Sequence, residues 1–416
     1  MISKKLLILE TEMKGPRGHY LDNLIETYYF LENDFDIYAV LNKKFNDEGT
    51  FIPNTLNLKK TLNVNNFEKK KDKILFIIFE IYSFLKRFIL SILLIPYFIY
   101  ANNLIKYLNA LFSNGLIIPR YFVETYFFLK KNKFSEMDNI FFPTTRNKHM
   151  SLANFLIRLN KDIPKIHLRL LYTPSFKKVG GFYYYFNKLN KFLMNNKVYF
   201  YVLTEKNFKI LKTFNSSEQG IYLSNIPWVF FNRIKNDDFF TIGYMGDARI
   251  SRGFNLLPEL IEKILAVSDK FKFIIQYSKV DDTVRPIHEK LLAMSKNYSN
   301  IIIQNKYLDY KNFRDVLKSI DIMPILHNSE EINNGNPSTI YSSITHEIPM
   351  TLPRNLEYMK NILKHKSYEE ADNLNETVSS ILTIKDNYDS YLSCAKKNSS
   401  ILHEVFSNDP LKKNIV

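Results

Sequence analysis

The sequence predicts an α/β chain made of two parallel-sheet halves in tandem, and three observations carry that prediction. Short apolar runs alternate with segments of helical spacing along most of the 416 residues. That length exceeds what one hydrophobic core serves well and suits two domains. The alternation also restarts after a polar stretch, "FNRIKNDD", which reads as a linker.

The elements follow in order. "KLLILE" reads as a buried first strand, "TEMKGPRG" as a loop, and "HYLDNLIETYYFLE" as a helix with Leu21, Leu24, Ile25 and Tyr28 at helical spacing. "DIYAVLN", "NIFFPT", "KIHLRLLYT" and "VYFYVLT" are further strands separated by helical segments. The second half repeats the theme with "FFTIGYMGD", "FKFIIQYS", "NIIIQNK", "DIMPIL" and "IPMTLP", and with helices starting near Phe254, Val284, Tyr310 and Ser338. From about residue 367 the chain is polar and helical in pattern, without new strands. The predicted domains are 1–230, carrying an apolar helical insertion at about 74–130, and 239–395, followed by a helical tail at 396–416.

Composition narrows the function classes. Net charge is +15, from 57 basic and 42 acidic residues, which favours anionic partners: nucleic acid, lipid headgroups or a phosphorylated substrate. No nucleic-acid-binding module accompanies the charge, so nucleic acid is not expected. Cys394 is the only cysteine, which leaves no intramolecular disulfide and no Cys/His zinc pattern, and suits a reducing cytosol. The N-terminus reads as a strand and not as a secretory leader. The stretch 74–100, "ILFIIFEIYSFLKRFILSILLIPYFIY", is apolar but carries Glu80, Lys86 and Arg87 centrally. A buried helix, a membrane-surface helix and a spanning helix all remain open for it.

In a parallel sheet, ligands bind beyond the carboxyl ends of the strands, so the loops there hold the candidate residues. Two such sheets in tandem imply a cleft between them. "GPRGHY", 15–20, offers Gly15 and Gly18 for close backbone approach; His19 is either a ligand contact or a helix-start residue. In "YMGDARISRGFNLL", Gly246 ends a strand, Gly253 opens a helix, and Arg249 and Arg252 lie between. Guanidinium forks at that position suit a diphosphate and would stabilise charge on a departing one; solvated loop arginines are the bland alternative. "NNGNPSTIYSSITHEIPMTLP", 333–353, places Gly335, Pro337, Ser338 and Thr339 at a loop leading into a helix, where hydroxyls and backbone donors can meet phosphate. His167 and Arg169 in "KIHLRLLYT", and Thr204 with Glu205 after "VYFYVL", are expected at the same edge of the first sheet. There is no nucleophile–base pair and no pair of carboxylates at an interpretable spacing.

Together these stretches resemble a family. "TIGYMGDARISRGFNLLPELI" is similar to the glycine–basic–glycine opening of the C-terminal domain in GT-B glycosyltransferases of the family 4 type. "GNPSTIYSSITHEIPMT" sits where that family has a glycine-rich loop and a glutamate-bearing helix, and "ILETEMKGPRGHYLDNL" resembles its N-terminal strand and glycine loop. The resemblance implies two Rossmann-like domains facing each other across a cleft. It implies metal-independent, retaining transfer from a nucleotide-sugar donor to a glycan or lipid-linked acceptor, without a separate cofactor, in surface polysaccharide biosynthesis. It also implies residence in the cytoplasm, with peripheral contact at the inner face of the plasma membrane.

Carried over by position, Arg252 replaces the family lysine, and Arg249 stands two residues beyond the family arginine slot, which holds Asp247. Catalytic roles fall to His167, Arg249 and Arg252. Donor-binding roles fall to Gly18, His19, Gly246, Gly335, Ser338, Thr339 and Ser342. Ser342 and Asn334 stand where the family has two glutamates, and Glu347 replaces a glycine; Glu330 and Glu331 lie just upstream. These departures keep open an inactive GT-B-fold binding or scaffold subunit, and a GT-B-fold epimerase.

Overall fold

The computed structural model of the chain describes residues 4–10, 19–42, 58–64, 120–159, 162–171, 182–193, 195–214, 219–225, 228–231, 239–278, 280–306, 308, 310–327, 338–354, 356 and 362–416. It divides into two compact units, Met1–Pro227 with Asp409–Val416, and Trp228–Asn408. The stretch 74–119, and with it most of the apolar insertion, lies outside the described residues.

In the first unit β1 (Lys5–Glu10), β2 (Asp36–Asn42), β3 (Thr61–Val64), β4 (Asn139–Phe142), β5 (Lys165–Leu170), β6 (Val198–Val202) and β7 (Ile221–Leu223) form one sheet in the order β3-β2-β1-β4-β5-β6-β7. Every pairing is parallel. The near-continuous apolar runs of β1, β4 and β6 fit strands covered on both faces. One face (Leu7, Ile140, Phe142, Leu168, Phe200) packs under α2 (Arg120–Lys131), α3 (Asn147–Leu159), α4 (Phe182–Leu193) and α5 (Glu205–Phe214). α1 (His19–Leu31) joins β1 to β2, against the direction of the later crossovers, which puts it on the opposite face. The strand order reverses between β1 and β4, the place where open α/β sheets take ligands.

In the second unit β8 (Phe240–Asp247) pairs in parallel with β9 (Phe271–Ser278), and β9 with β10 (Ile301–Asn305). β11 (Met323–Pro324), β12 (Met350–Leu352) and β13 (Tyr368–Glu370) form a second parallel ladder. A bridge between Ile242 and Ile322 joins the two ladders, and Gly243 leaves room for the close approach: a Cβ there would lie 2.3 Å from Ile320 Cδ1. Helices α6 (Leu257–Leu265), α7 (Arg285–Asn297), α8 (Tyr310–Lys318), α9 (Ser338–Thr345), α10 (Leu374–Asp386) and α11 (Tyr388–Ser407) connect and flank the strands. α6 buries Leu257, Leu260, Ile261 and Ile264 as a single stripe against β8 and β9.

The C-terminal stretch departs from expectation twice. β13 is a strand where helix alone was expected, at the sheet edge, where a three-residue polar segment pairs without an apolar signature. The chain end is also divided: α11 belongs to the second unit, and α12 (Pro410–Ile415) to the first. Asp409 caps α12 by accepting from Leu411 N, and it also accepts from Ser224 Oγ at 2.6 Å and Asn225 N at 2.9 Å.

Candidate functional site

The second unit assembles its site at the carboxyl end of β8. Gly246 has φ +148, and a Cβ there would lie 3.3 Å from Arg252 Nη1, so the guanidinium of Arg252 rests against the glycine backbone. Two short 3₁₀ turns, Ile250–Arg252 and Phe254–Leu256, carry the chain from strand to helix, with Gly253 between them in the left-handed region at φ +72. A Cβ on Gly253 would meet Leu326 Cβ at 2.3 Å and Leu326 O at 2.4 Å. The arginine loop is therefore packed onto the residues that follow β11. Phe254 closes the arrangement below, buried against Tyr244 and Tyr277.

The two arginines differ in setting. Arg249 is exposed and its Nη2 donates to Asp247 Oδ2 at 2.8 Å, while Ser278 Oγ donates to Asp247 Oδ1 at 3.0 Å. Asp247 thus holds Arg249 at the loop. Arg252 is half-buried and turned to Gly246. The Arg249 guanidinium is anchored by a carboxylate, the Arg252 guanidinium lies against the Gly246 backbone, and both sit at the strand end.

α9 begins at Ser338, which is exposed, and Thr339 Oγ1 is buried without a hydrogen-bond partner among the described residues. An orphaned hydroxyl in the first turn is a donor available to an oxyanion. Ser342 is inward-facing and buried; its carbonyl accepts from His346 Nδ1 at 2.8 Å, and burial pushes His346 down to about 3. His327, directly after Leu326, is a residue that sequence reading missed. No spacing rule marks a lone histidine at a strand end; only the packing of Leu326 on Gly253 brings it to the arginine loop.

The residues expected in the first unit fare differently. Gly18 lies outside the described residues, as do Gly335, Asn334, Glu330 and Glu331. His19 opens α1. His167 was expected beyond its strand and instead lies within β5, fully buried. Asn139 Oδ1 can only accept, so His167 Nε2 donates to it at 3.0 Å, and Nδ1 accepts from Tyr201 O–H at 2.9 Å. Asn139 Nδ2 passes the chain on to Ile415 O at 3.0 Å. Both ring nitrogens are used, and burial, with Lys165 adding to it, pushes the imidazole down to about 3. Its period-2 position on β5 puts it on the face away from α3 and α4, where a buried polar ring must be bonded.

Arg169, on the same face, is fully buried with Nε donating to Pro143 O at 3.1 Å and the guanidinium over the Phe141 ring at 5.1 Å. Its Nη1 and Nη2 find no hydrogen-bond acceptor among the described residues, and burial lowers it to about 10 despite Glu10 and Asp409 nearby. Thr204 is the cap of α5, accepting from Asn207 N at 3.2 Å, and Glu205 is its exposed first residue. Among the described residues no group of three or more His, Cys, Asp or Glu is placed to hold a metal ion.

No protein-family model matches the chain, and no curated protein matches it. Solved structures do. Anabaena HepE, solved with UDP and glucose, superposes with a TM-score of 0.58 at 9% identity, over 99% of this chain and 97% of that one. A glycosyltransferase from Rickettsia africae gives 0.54 at 11% identity, over 100% and 96%. A putative UDP-N-acetylglucosamine 2-epimerase from Listeria monocytogenes gives 0.54 at 10%, over 94% and 90%. Of a Staphylococcus aureus TarM structure the chain spans only 56% of the length. These likenesses show the fold: GT-B, two Rossmann-like α/β units.

Proposed function

We propose that the chain is a glycosyltransferase that takes a sugar from a nucleoside-diphosphate donor. The observation that carries the reading is the Arg252 guanidinium lying against Gly246 at the carboxyl end of β8, in a loop locked by Gly253 beneath Leu326. In this reading Arg252 and Arg249 meet the donor's diphosphate. The Thr339 hydroxyl and the first turn of α9 add donors to the same oxyanion.

As the sugar leaves, negative charge grows on the diphosphate, and fixed guanidinium groups stabilise it without reorganising. The chain's own side chains then need no general base of the Ser-His kind. Retention of anomeric configuration, independence from metal ions, and a glycan or lipid-linked acceptor bound by the first unit at the inner membrane face belong to the same proposal. They rest on the family resemblance. HepE and the Rickettsia africae enzyme support it by fold. Ser342, buried in α9, does not present a carboxylate to a ribose. The donor's nucleoside is therefore recognised through other groups of this unit.

The test is thermal unfolding with UDP, GDP, CMP, TDP and their sugar conjugates. A ligand at about 100 times its dissociation constant adds about 2.7 kcal/mol to the folded state. One nucleotide is expected to raise the melting temperature of the wild type, and to leave the Arg249→Ala/Arg252→Ala double variant unshifted. No shift with any nucleotide, beside a control enzyme that responds, overturns the reading.

A further inference from the structure

The first unit buries a cation whose hydrogen-bonding capacity it leaves half used, and does so where the strand order reverses. In register, Ile8 of β1 and His167 of β5 both lie beside Phe141 of β4. Two residues further along, Glu10 and Arg169 therefore flank Pro143 on the same face of the sheet. Arg169 is held from three directions. Its Nε donates to Pro143 O at 3.1 Å, its guanidinium lies over the Phe141 ring at 5.1 Å, and its own carbonyl accepts from Thr145 N at 2.8 Å. The fork is thus fixed in direction, while Nη1 and Nη2 have no acceptor among the described residues. Thr144, in the segment leaving β4, is also buried, and its Oγ1 has no partner among them either.

Two carboxylates lie near, and neither closes the fork. Asp409 uses its oxygens to accept from Ser224 Oγ, Asn225 N and Leu411 N. Glu10 attracts the guanidinium without a hydrogen bond to Nη1 or Nη2. Their combined attraction does not offset burial, which lowers Arg169 to about 10. The side chain is still a cation at neutral pH, with two idle donors in a dry setting where idle donors are costly.

We infer that Arg169 anchors a subsite in the first unit for the carboxylate of an acidic sugar, a uronic acid, in the acceptor. The charge balance selects this occupant. One guanidinium matches one carboxylate, whose two oxygens meet Nη1 and Nη2 in the plane of the fork. A phosphate monoester brings a charge of about −1.5 to −2, and the excess would face Glu10 and Asp409 without a cation to balance it. A neutral sugar would fill the donors but leave the buried charge uncompensated. The Thr144 hydroxyl, next to Pro143 in the chain, supplies a further donor at the same strand end. The inference rests on the reading of the chain as a sugar-transferring protein and adds the class of its acceptor. Its assay contains no nucleotide, so the two fail separately.

The experiment is thermal unfolding of the full-length protein with glucuronate, galacturonate, glucose and inorganic phosphate, titrated at one ionic strength. At least one uronate is expected to raise the melting temperature by about 3 °C near saturation, and glucose to leave it unchanged. Arg169→Lys keeps the charge and loses the planar fork, and weakens uronate binding at least about tenfold. Thr144→Val keeps the shape of a side chain whose hydroxyl bonds nothing. It is expected to melt at or above the wild-type temperature and to bind uronate about threefold to tenfold more weakly. The double variant Lys206→Gln/Lys209→Gln, exposed lysines of α5, leaves binding within about twofold, which separates the subsite from general attraction to a basic protein. No shift with either uronate, an equal shift with glucose, or tighter binding of phosphate than of either uronate overturns the inference. So does an Arg169→Lys protein that binds uronate like the wild type. Where lysine at 169 does not fold, Thr144→Val carries the test, and wild-type affinity in that variant then overturns it.

Discussion

Within β5, His167 is held by bonds at both ring nitrogens, donating to Asn139 and accepting from Tyr201, with no atom left for a substrate. Its ring also stacks on Tyr199, centroids 4.8 Å apart. Replacement by alanine removes this packing and leaves a buried hydroxyl and a buried amide oxygen without partners. The His167→Ala variant is therefore expected to lose about 2–4 kcal/mol of stability in urea unfolding. Turnover per folded molecule and the nucleotide-induced thermal shift are expected to stay near wild type. A variant that folds as well as the wild type but does not turn over would restore the catalytic role. The same contrast separates the two glycines of the arginine loop. An alanine at Gly246 meets only the tip of a flexible arginine, 3.3 Å away, but strains a backbone at φ +148, so it should weaken both nucleotide binding and folding, folding less than at Gly253.

At the scale of elements, Gly253 is the hinge pin of the site. Its left-handed backbone, with Leu326 Cβ and O within 2.4 Å of any added Cβ, leaves no room for a side chain. Gly253→Ala is expected to cost at least about 2 kcal/mol in denaturant unfolding and to abolish nucleotide stabilisation, because the loop must lift off the end of β11 to fit the methyl. A variant with wild-type stability and binding would show that the loop is not locked there. The elements themselves were legible in the sequence wherever burial is two-sided. β1, β2, β4, β5, β6, β8, β9 and β10 all coincide with apolar runs, because a covered parallel strand needs them. β3, β7 and β13, "TLNV", "IYL" and "YEE", escaped notice because each is an edge strand of three or four residues without periodic signature. The arginine loop was legible because glycines with special backbone needs bracket it. His167 was misplaced since a sequence marks a strand without saying where its covered part ends. His327 was not legible at all, since only the packing of its neighbour Leu326 on Gly253 joins these two loops, which are distant in sequence.

For the whole molecule, buried titratable groups set opposing limits on pH. His167 and His346 are each pushed down to about 3 by burial, and burial holds His149 well below the ordinary histidine range. His149 Nδ1 accepts from Arg146 N at the start of α3, which a proton there would break. Below about pH 6.5 the unfolded chain protonates these rings and the folded chain does not, so stability falls as pH drops towards 3. A separation from 6.5 to about 3 is worth at most about 5 kcal/mol per ring, comparable with the whole stability of a domain. Asp321 acts in the other direction. Burial raises it to about 7, the Thr241 N–H at 2.6 Å opposing this only in part, so the folded state keeps a proton that the unfolded state sheds above about pH 4. Its cost grows from about pH 4 to pH 7 and is constant beyond. Asp321→Asn keeps an acceptor for Thr241 N and removes the ionisation. It is expected to stabilise the protein by about 2–4 kcal/mol at pH 8 and to do little at pH 4. Denaturant unfolding of both proteins across that range measures the difference directly. An equal effect at both ends would mean that Asp321 is ionised in the folded state throughout, with Thr241 N–H sufficient to hold its charge.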